Sequence, residues 1–205
     1  VEALDAVFQG LGVERRAFEQ PHFAANHVVS RRRVAGEGQA IHEILLALRE
    51  LGGQEANVHS ISCSAWPADY LLFASDGSLL APAFHYADPR GAQGLHRAQS
   101  QVAGGAGFIH AETGSVAAAT STLSQLAAEN SRRLKKAHRL LPIADGFNYL
   151  LSGISAVEMT SASATQLFNP VTCQWSEHLL KDLELRRELF PVIARSGTRL
   201  GPLRP

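Results

Sequence analysis

The chain has 205 residues, in which 19 Lys and Arg are balanced by 19 Asp and Glu, so that the formal net charge is zero. This neutrality gives no electrostatic support for a role on nucleic acid or on a membrane surface, because polyanions of both kinds attract basic proteins. The length suits a single domain over residues 1–205 with a sizeable core. No apolar run approaches the roughly 20 residues that cross a bilayer.

The start of the chain shows no basic segment followed by an apolar one, so no secretory signal is visible and we expect a soluble, cytoplasmic protein. The nine His are scattered without the helical spacing of a zinc site. Cys63 and Cys173 likewise lack the spacing of metal ligands. The composition therefore predicts no protein-bound zinc.

Hydrophobic periodicity and turn residues predict helices that alternate with strands. Residues 1–33 are predicted to be extended. Helices are predicted at residues 39–51, 93–102, 121–136, 145–151, 175–183 and 186–189, and strands at residues 58–62, 70–73 and 140–143. Asp76-Gly77 predicts a hairpin turn. One hairpin among alternating helices and strands favours a mixed α/β sheet.

The glycines at 104, 105 and 107 predict a flexible loop. A phosphate-binding loop is the other interpretation, but no strand precedes these glycines and no Lys-Ser or Lys-Thr follows them.

Residues 60–90 carry the most informative pattern in the chain. A strand ends in small residues, Trp66 and Asp69 follow, and a third apolar run leads to Asp88 and Arg90. An aromatic face for stacking beside charged groups for hydroxyls is the chemistry of a polyol or sugar site. Structural explanations exist for each residue: Trp66 could fill the core, Asp69 could cap a turn, and the last two could form a surface ion pair of little energetic value.

These residues resemble the FGGY carbohydrate kinases, especially the rhamnulokinase branch. That family has Asp-x-Trp-x-x-Asp-aromatic, then an Asp-x-x-Gly turn, then Tyr-x-Asp-x-Arg. This chain has Ser64-Ala65-Trp66-Pro67-Ala68-Asp69-Tyr70, then Ser75-Asp76-Gly77, then Tyr86-Ala87-Asp88-Pro89-Arg90. Ser64 stands where the family has an acid. Further blocks resemble the family in order and spacing, and together they span about residues 57–203: Thr113-Gly114, Thr122-Leu123, Gln125-Leu126, Leu140 to Asp145, Tyr149-Leu150, Glu158, Thr165-Gln166-Leu167, Trp175 and Gly197 to Gly201.

The resemblance implies a ribonuclease-H-like (actin-like ATPase) domain, with a mixed β-sheet flanked by helices. It also implies an ATP- and Mg²⁺-dependent kinase acting on a ketose or deoxyketose, of which this chain is the N-terminal, sugar-binding half. The substrate-binding residues it implies are Ser64, Trp66, Asp69, Asp88 and Arg90. Asp5 is the residue implied to help hold Mg²⁺, although Ala6 and Val7 replace the Asp-x-Gly of the family's phosphate loop.

The family's general base lies just beyond the segment that here reaches Leu203, so no catalytic residue is assigned, and we expect the chain alone to be inactive. Without a C-terminal domain, we expect it to self-associate through the apolar segment 189–203. The alternative is a non-catalytic sugar-binding or regulatory relic of a sugar kinase, which Ser64 and the altered loop at Ala6 would also fit.

Overall fold

The computed structural model describes residues 60–204 together with Leu46 and Arg49. By its contacts the chain divides into two units, residues 1–62 and residues 63–205. In the first unit, Leu46 and Arg49 are helical, inside the helix predicted at 39–51. Asp5, the extended segments at 1–33 and residues 58–59 of the strand predicted at 58–62 lie outside the described residues. Residues 60–62 are described and are not in a strand, so this part of the predicted strand is wrong. All elements described below belong to the second unit.

The core of the second unit is an antiparallel pair of strands, β1 (Tyr70–Phe73) and β2 (Arg139–Pro142), which are buried except at Arg139. All four residues of β1 are buried. The predicted turn follows β1, with Gly77 at φ +84°, a conformation that glycine adopts without steric cost. Leu80 then donates its backbone N–H back to the Leu72 carbonyl at 2.7 Å.

Helix α5 (Ile143–Ser152) covers this pair of strands and ends at Gly153, which has the left-handed φ of +78°. The helix lies very close to β1, because a Cβ built on Gly146 would be 2.6 Å from Leu71 Cδ1.

Four helices lie between β1 and β2 in the sequence: α1 (Arg90–Gln101), α2 (Gly105–Thr113), α3 (Thr122–Ala127) and α4 (Ser131–Lys136). Helices α1 and α3 pack at backbone distance, since Gly91 and Gly94 face the carbonyls of Ala119 and Ser124. Every residue of α3 is buried.

The C-terminal part of this unit is built from short elements. They are β3 (Ala156–Glu158), α6 (Met159–Ala164), β4 (Phe168–Asn169), β5 (Gln174–Trp175), α7 (Glu177–Asp182), a 3₁₀ turn (Arg187–Leu189) and β6 (Val192–Ala194). Strand β3 pairs with β6 in parallel, and β4 pairs with β5 antiparallel.

Other predictions also differ from this structure. The glycine-rich segment is not a loop: Gly104 takes a left-handed φ of +87°, and α2 starts directly after it. The helix predicted at 121–136 is two helices, because Asn130 accepts the Arg132 N–H and starts α4 as its N-cap. The described residues show the predicted mixture of parallel and antiparallel pairing, but in three separate two-stranded sheets, of which one is parallel and two are antiparallel.

Within the described part of the chain, no helix is long and apolar enough to span a membrane.

Candidate functional site

Trp66 and Asp69 form a hydrogen-bonded pair just before β1. The Trp66 indole Nε1–H donates to Asp69 Oδ2 at 2.6 Å, and Asp69 is 1% exposed while Trp66 is half-buried. The chain turns between them at Ala68, whose φ of +84° is unusual for a residue with a Cβ. The pair therefore fixes the plane of an accessible aromatic ring.

Helix α3 stabilises this turn. Thr122 Oγ1–H and Gln125 Nε2–H both donate to the Ala68 carbonyl, at 2.7 and 2.9 Å. Ser121 begins the helix by accepting the Ser124 N–H. Backbone strain of this kind persists only where surrounding contacts over-determine the conformation, and here α3 supplies them.

Burial raises the pKa of Asp69, and the Trp66 hydrogen bond, His85, the Tyr86 backbone amide and the Gln125 side chain oppose that rise in part. Asp69 Oδ1 and Gln125 Oε1 are both buried, and neither has a hydrogen-bond partner among the described residues. Two buried acceptors without donors, close to an oriented Trp ring, are groups that the hydroxyls of a ligand could satisfy.

Asp88 lies two residues before Arg90, the first residue of α1, and their side chains do not pair with each other. Asp88 Oδ1 accepts the backbone N–H of Arg90 at 2.9 Å. The Arg90 guanidinium lies 3.7 Å from the centroid of the Phe84 ring and donates to Glu129 Oε2 at 3.3 Å. Arg90 is thus held inside the protein by other side chains.

The structure brings together only some of the five residues that the sequence predicts to bind sugar. Trp66 and Asp69 contact each other, and Arg90 is connected to Tyr70, the neighbour of Asp69, by a 3.3 Å hydrogen bond. Ser64 is exposed, and no hydrogen bond within residues 60–204 joins it or Asp88 to the Trp66–Asp69 pair.

Sequence reasoning missed the charged residues around Arg90. Glu129 accepts from Tyr70 Oη–H at 2.8 Å and from Arg133 at 2.7 Å, and its side chain is 2% exposed. The i,i+4 spacing of Glu129 and Arg133 was the available signal, but such a pair on a polar helix is usually a solvated one.

The resemblance implies a kinase that uses ATP and Mg²⁺. Within residues 60–204, no group of three or more His, Cys, Asp or Glu side chains could hold a metal ion. The one predicted metal ligand, Asp5, lies outside the described residues.

The sequence model of the N-terminal domain of the FGGY family of carbohydrate kinases matches residues 38–205. The rhamnulokinase of Enterococcus faecalis is 33% identical over 165 residues, which cover 80% of this chain and 33% of that protein. The rhamnulokinase of Mannheimia succiniciproducens is 31% identical over 163 residues, covering 78% of this chain and 33% of that protein. The chain thus spans about a third of the length of these relatives.

Solved structures agree on the fold. A ligand-bound xylulose kinase from Lactobacillus acidophilus superposes with a TM-score of 0.74 at 19% identity, covering 86% of this chain and 37% of that one. A gluconate kinase from the same species gives a TM-score of 0.73 at 20% identity, with the same coverage. The fold is therefore the α/β fold of the corresponding part of sugar kinases. Since the family's sequence model extends over most of its residues, this chain belongs to the FGGY family of carbohydrate kinases and carries that family's N-terminal domain.

Proposed function

We propose that this chain is the sugar-binding part of an ATP-dependent kinase that phosphorylates a ketose or deoxyketose, as in a rhamnulokinase. The observation that carries the proposal is the Trp66–Asp69 pair, in which a half-buried ring is held by a buried carboxylate at 2.6 Å. A ring fixed in this way loses little conformational entropy when a ligand stacks on it. The rhamnulokinase relatives favour this substrate class.

In this proposal the sugar stacks on Trp66, and its hydroxyls donate to the two unpartnered acceptors, Asp69 Oδ1 and Gln125 Oε1. Asp88 and Ser64 contribute from the neighbouring segments. Arg90 acts indirectly, because its guanidinium is committed to Glu129 and Phe84. ATP and Mg²⁺ are assigned to the longer kinase, and the ribonuclease-H-like arrangement and the cytoplasmic location stay predictions. The inactivity of these 205 residues alone is likewise still a prediction.

The test is calorimetric titration of the 205-residue chain with rhamnulose, fuculose, xylulose and glycerol. We expect one ketose to bind and Trp66→Ala to weaken it at least about tenfold, which corresponds to roughly 1.4 kcal/mol of lost stacking. Trp175→Phe is the matched control. Trp175 is buried in the core, where its indole N–H donates a hydrogen bond to the Pro191 carbonyl, so its substitution should not affect stacking of a sugar.

Failure of the folded chain to bind any of the four compounds would contradict the proposal. Binding of a sugar that Trp66→Ala and Trp175→Phe weaken equally would place the site elsewhere. Sugar binding that persists in a full-length enzyme unable to phosphorylate the sugar would instead favour the non-catalytic relic.

A further inference from the structure

The segment 80–90, named here the anchored loop, runs from the turn after β1 to the start of α1 and contains Tyr86 and Asp88. Its last residue, Arg90, donates to Tyr70 Oη at 3.3 Å, directly beside Asp69 in the sequence. His85 and the Tyr86 amide, within the loop, oppose the rise in the pKa of Asp69 that burial causes. The position of this loop therefore affects the candidate site.

One arginine on α4 fixes the beginning of the anchored loop. Arg133 Nη2 donates to the carbonyls of Leu80 and Pro82, at 2.6 Å each, and its Nη1 donates to Glu129 at 2.7 Å. A guanidinium can make these bonds at once because its donors are arranged as a planar fork. The first residues of the loop are thus attached to a helix about 50 residues away in sequence.

Glu129 connects this attachment to the end of the same loop. Its Oε2 accepts from Arg133, from Arg90 at 3.3 Å and from Tyr70 Oη–H at 2.8 Å. Phe84, in the middle of the loop, is covered by the Arg90 guanidinium at 3.7 Å. The beginning, middle and end of the loop therefore converge on a single carboxylate whose side chain is 2% exposed.

The arrangement depends on the charge of Glu129. Burial, and secondly the Glu129 carboxylate, raise the pKa of Tyr70 above its ordinary 10.0, so the phenol stays a hydrogen-bond donor. Without the carboxylate, two guanidiniums would face each other in a poorly solvated place, and removing one partner of a buried ion pair is costly. Loosening of the loop relieves that repulsion.

We propose that Glu129 is a positioning residue, which acts through Arg133 and Arg90 to hold the anchored loop against the sugar site. The part of this inference that concerns sugar rests on the proposed function. The part that concerns the loop rests on the hydrogen bonds alone and can be measured without any ligand.

The test compares amide hydrogen exchange in the 205-residue chain and in Glu129→Gln. Exchange in peptides from residues 80–90 is expected to rise at least about tenfold, while peptides from β3 and α6 stay unchanged, because only the loop loses its anchor. Glu177→Gln is the matched control: it removes an exposed carboxylate paired with Arg187, and neither region should respond.

Unchanged exchange in residues 80–90, or an equal rise in every peptide, would overturn the proposal, since the second result marks global destabilisation. Arg133→Lys provides the same test if Glu129→Gln does not fold. It keeps the charge but not the fork that holds both carbonyls, so the local rise is again expected and its absence again overturns the proposal.

Titration with rhamnulose then separates the two proposals. If the wild-type chain binds it, Glu129→Gln should weaken binding at least about tenfold at equal folded fraction, and unchanged affinity overturns the positioning role. If the wild-type chain binds no sugar while the loop is loosened locally, the proposed function fails and the anchoring role of Glu129 is supported.

Discussion

The fold changes the titration of Asp145. It lies in the first turn of α5 and is 4% exposed. Its Oδ1 accepts the Glu158 backbone N–H at 3.2 Å, whereas its Oδ2 has no hydrogen-bond partner within the described residues. Burial raises the pKa of Asp145 to about 6 from 3.8, with a smaller contribution from the Glu158 carboxylate. The folded protein therefore favours the neutral acid.

This shift predicts that the Asp145 carboxyl makes stability fall as pH rises from about 4 to about 6. Between those values the folded chain keeps a proton that the unfolded chain has lost, so deprotonation favours unfolding. Asp145→Asn removes the titration, and its urea midpoint should rise relative to wild type from pH 4.5 to pH 7.5. The gain should be on the order of 1–2 kcal/mol, below the full value of the shift because of partial solvation.

Asp76→Asn is the control for this comparison. Asp76 is exposed, and its pKa is lowered by hydrogen bonds from the Ser78 side chain and backbone. Its contribution to stability is therefore lost below pH 3.8, outside the tested window. A wild-type and an Asp145→Asn protein with parallel stability curves from pH 4.5 to pH 7.5 would show that Asp145 titrates normally.

Helices α1 and α3 are in close backbone contact, and this contact depends on glycine. A Cβ built on Gly94 would lie 1.8 Å from the Ser124 carbonyl oxygen, and that oxygen belongs to a buried helix. Gly107 in α2 offers a contrast, since a Cβ there meets nothing within 4 Å. Replacing glycine by alanine should therefore have opposite effects on stability at these two positions.

We expect Gly94→Ala to destabilise the chain by about 3 kcal/mol, because the two helices must separate. Gly107→Ala should stabilise it by about 0.5–1 kcal/mol, since alanine restricts the unfolded chain and suits a helix interior. Urea unfolding of both variants measures these effects. The shift of the unfolding midpoint gives the change in stability, provided that the denaturant dependence of the unfolding free energy is unchanged. Equal effects of the two substitutions would refute the close packing of α1 on α3.

Elements specified by local signals were predictable from the sequence. The apolar strand at residues 70–73, the turn at Gly77 and the helix stop at Gly153 carry their own chemistry, and all three are observed. The break between α3 and α4 was missed, because it depends on Asn130 accepting the Arg132 N–H within a sequence of good helix formers. The β4–β5 hairpin was missed because two-residue strands are too short to show alternation.

The candidate site divides in the same way. Trp66 and Asp69 could be proposed from their spacing, and their hydrogen bond spans only three residues. The partner of Arg90 could not be proposed from the sequence, because Glu129 lies 39 residues away and only the packing of α1 brings the two side chains together. The buried role of Glu129, which lies between α3 and α4, follows from tertiary contacts, which no local pattern encodes.

For the molecule as a whole, the segment 189–203 was expected to expose an apolar surface. In the structure only part of this segment is exposed, because Leu189 and Phe190 are core residues at 2% exposure each. Val192 in β6 is 70% exposed and Leu203 is 46% exposed. Within the described residues β6 pairs with β3, and exposed apolar side chains on and near a strand favour association.

We therefore predict that the 205-residue chain self-associates through β6 and the residues near Leu203. Sedimentation velocity over a concentration series should show a sedimentation coefficient that rises with concentration. Val192→Lys and Leu203→Lys should each reduce the rise, because a charge within an exposed apolar surface opposes its burial against a second copy. Val171→Lys is the control: Val171 is 90% exposed but lies in the β4–β5 turn, so its substitution should leave association unchanged. Association reduced equally by all three substitutions would indicate a general effect of charge. A wild-type monomer at every concentration would exclude the interface and would fit a domain that is stable by itself.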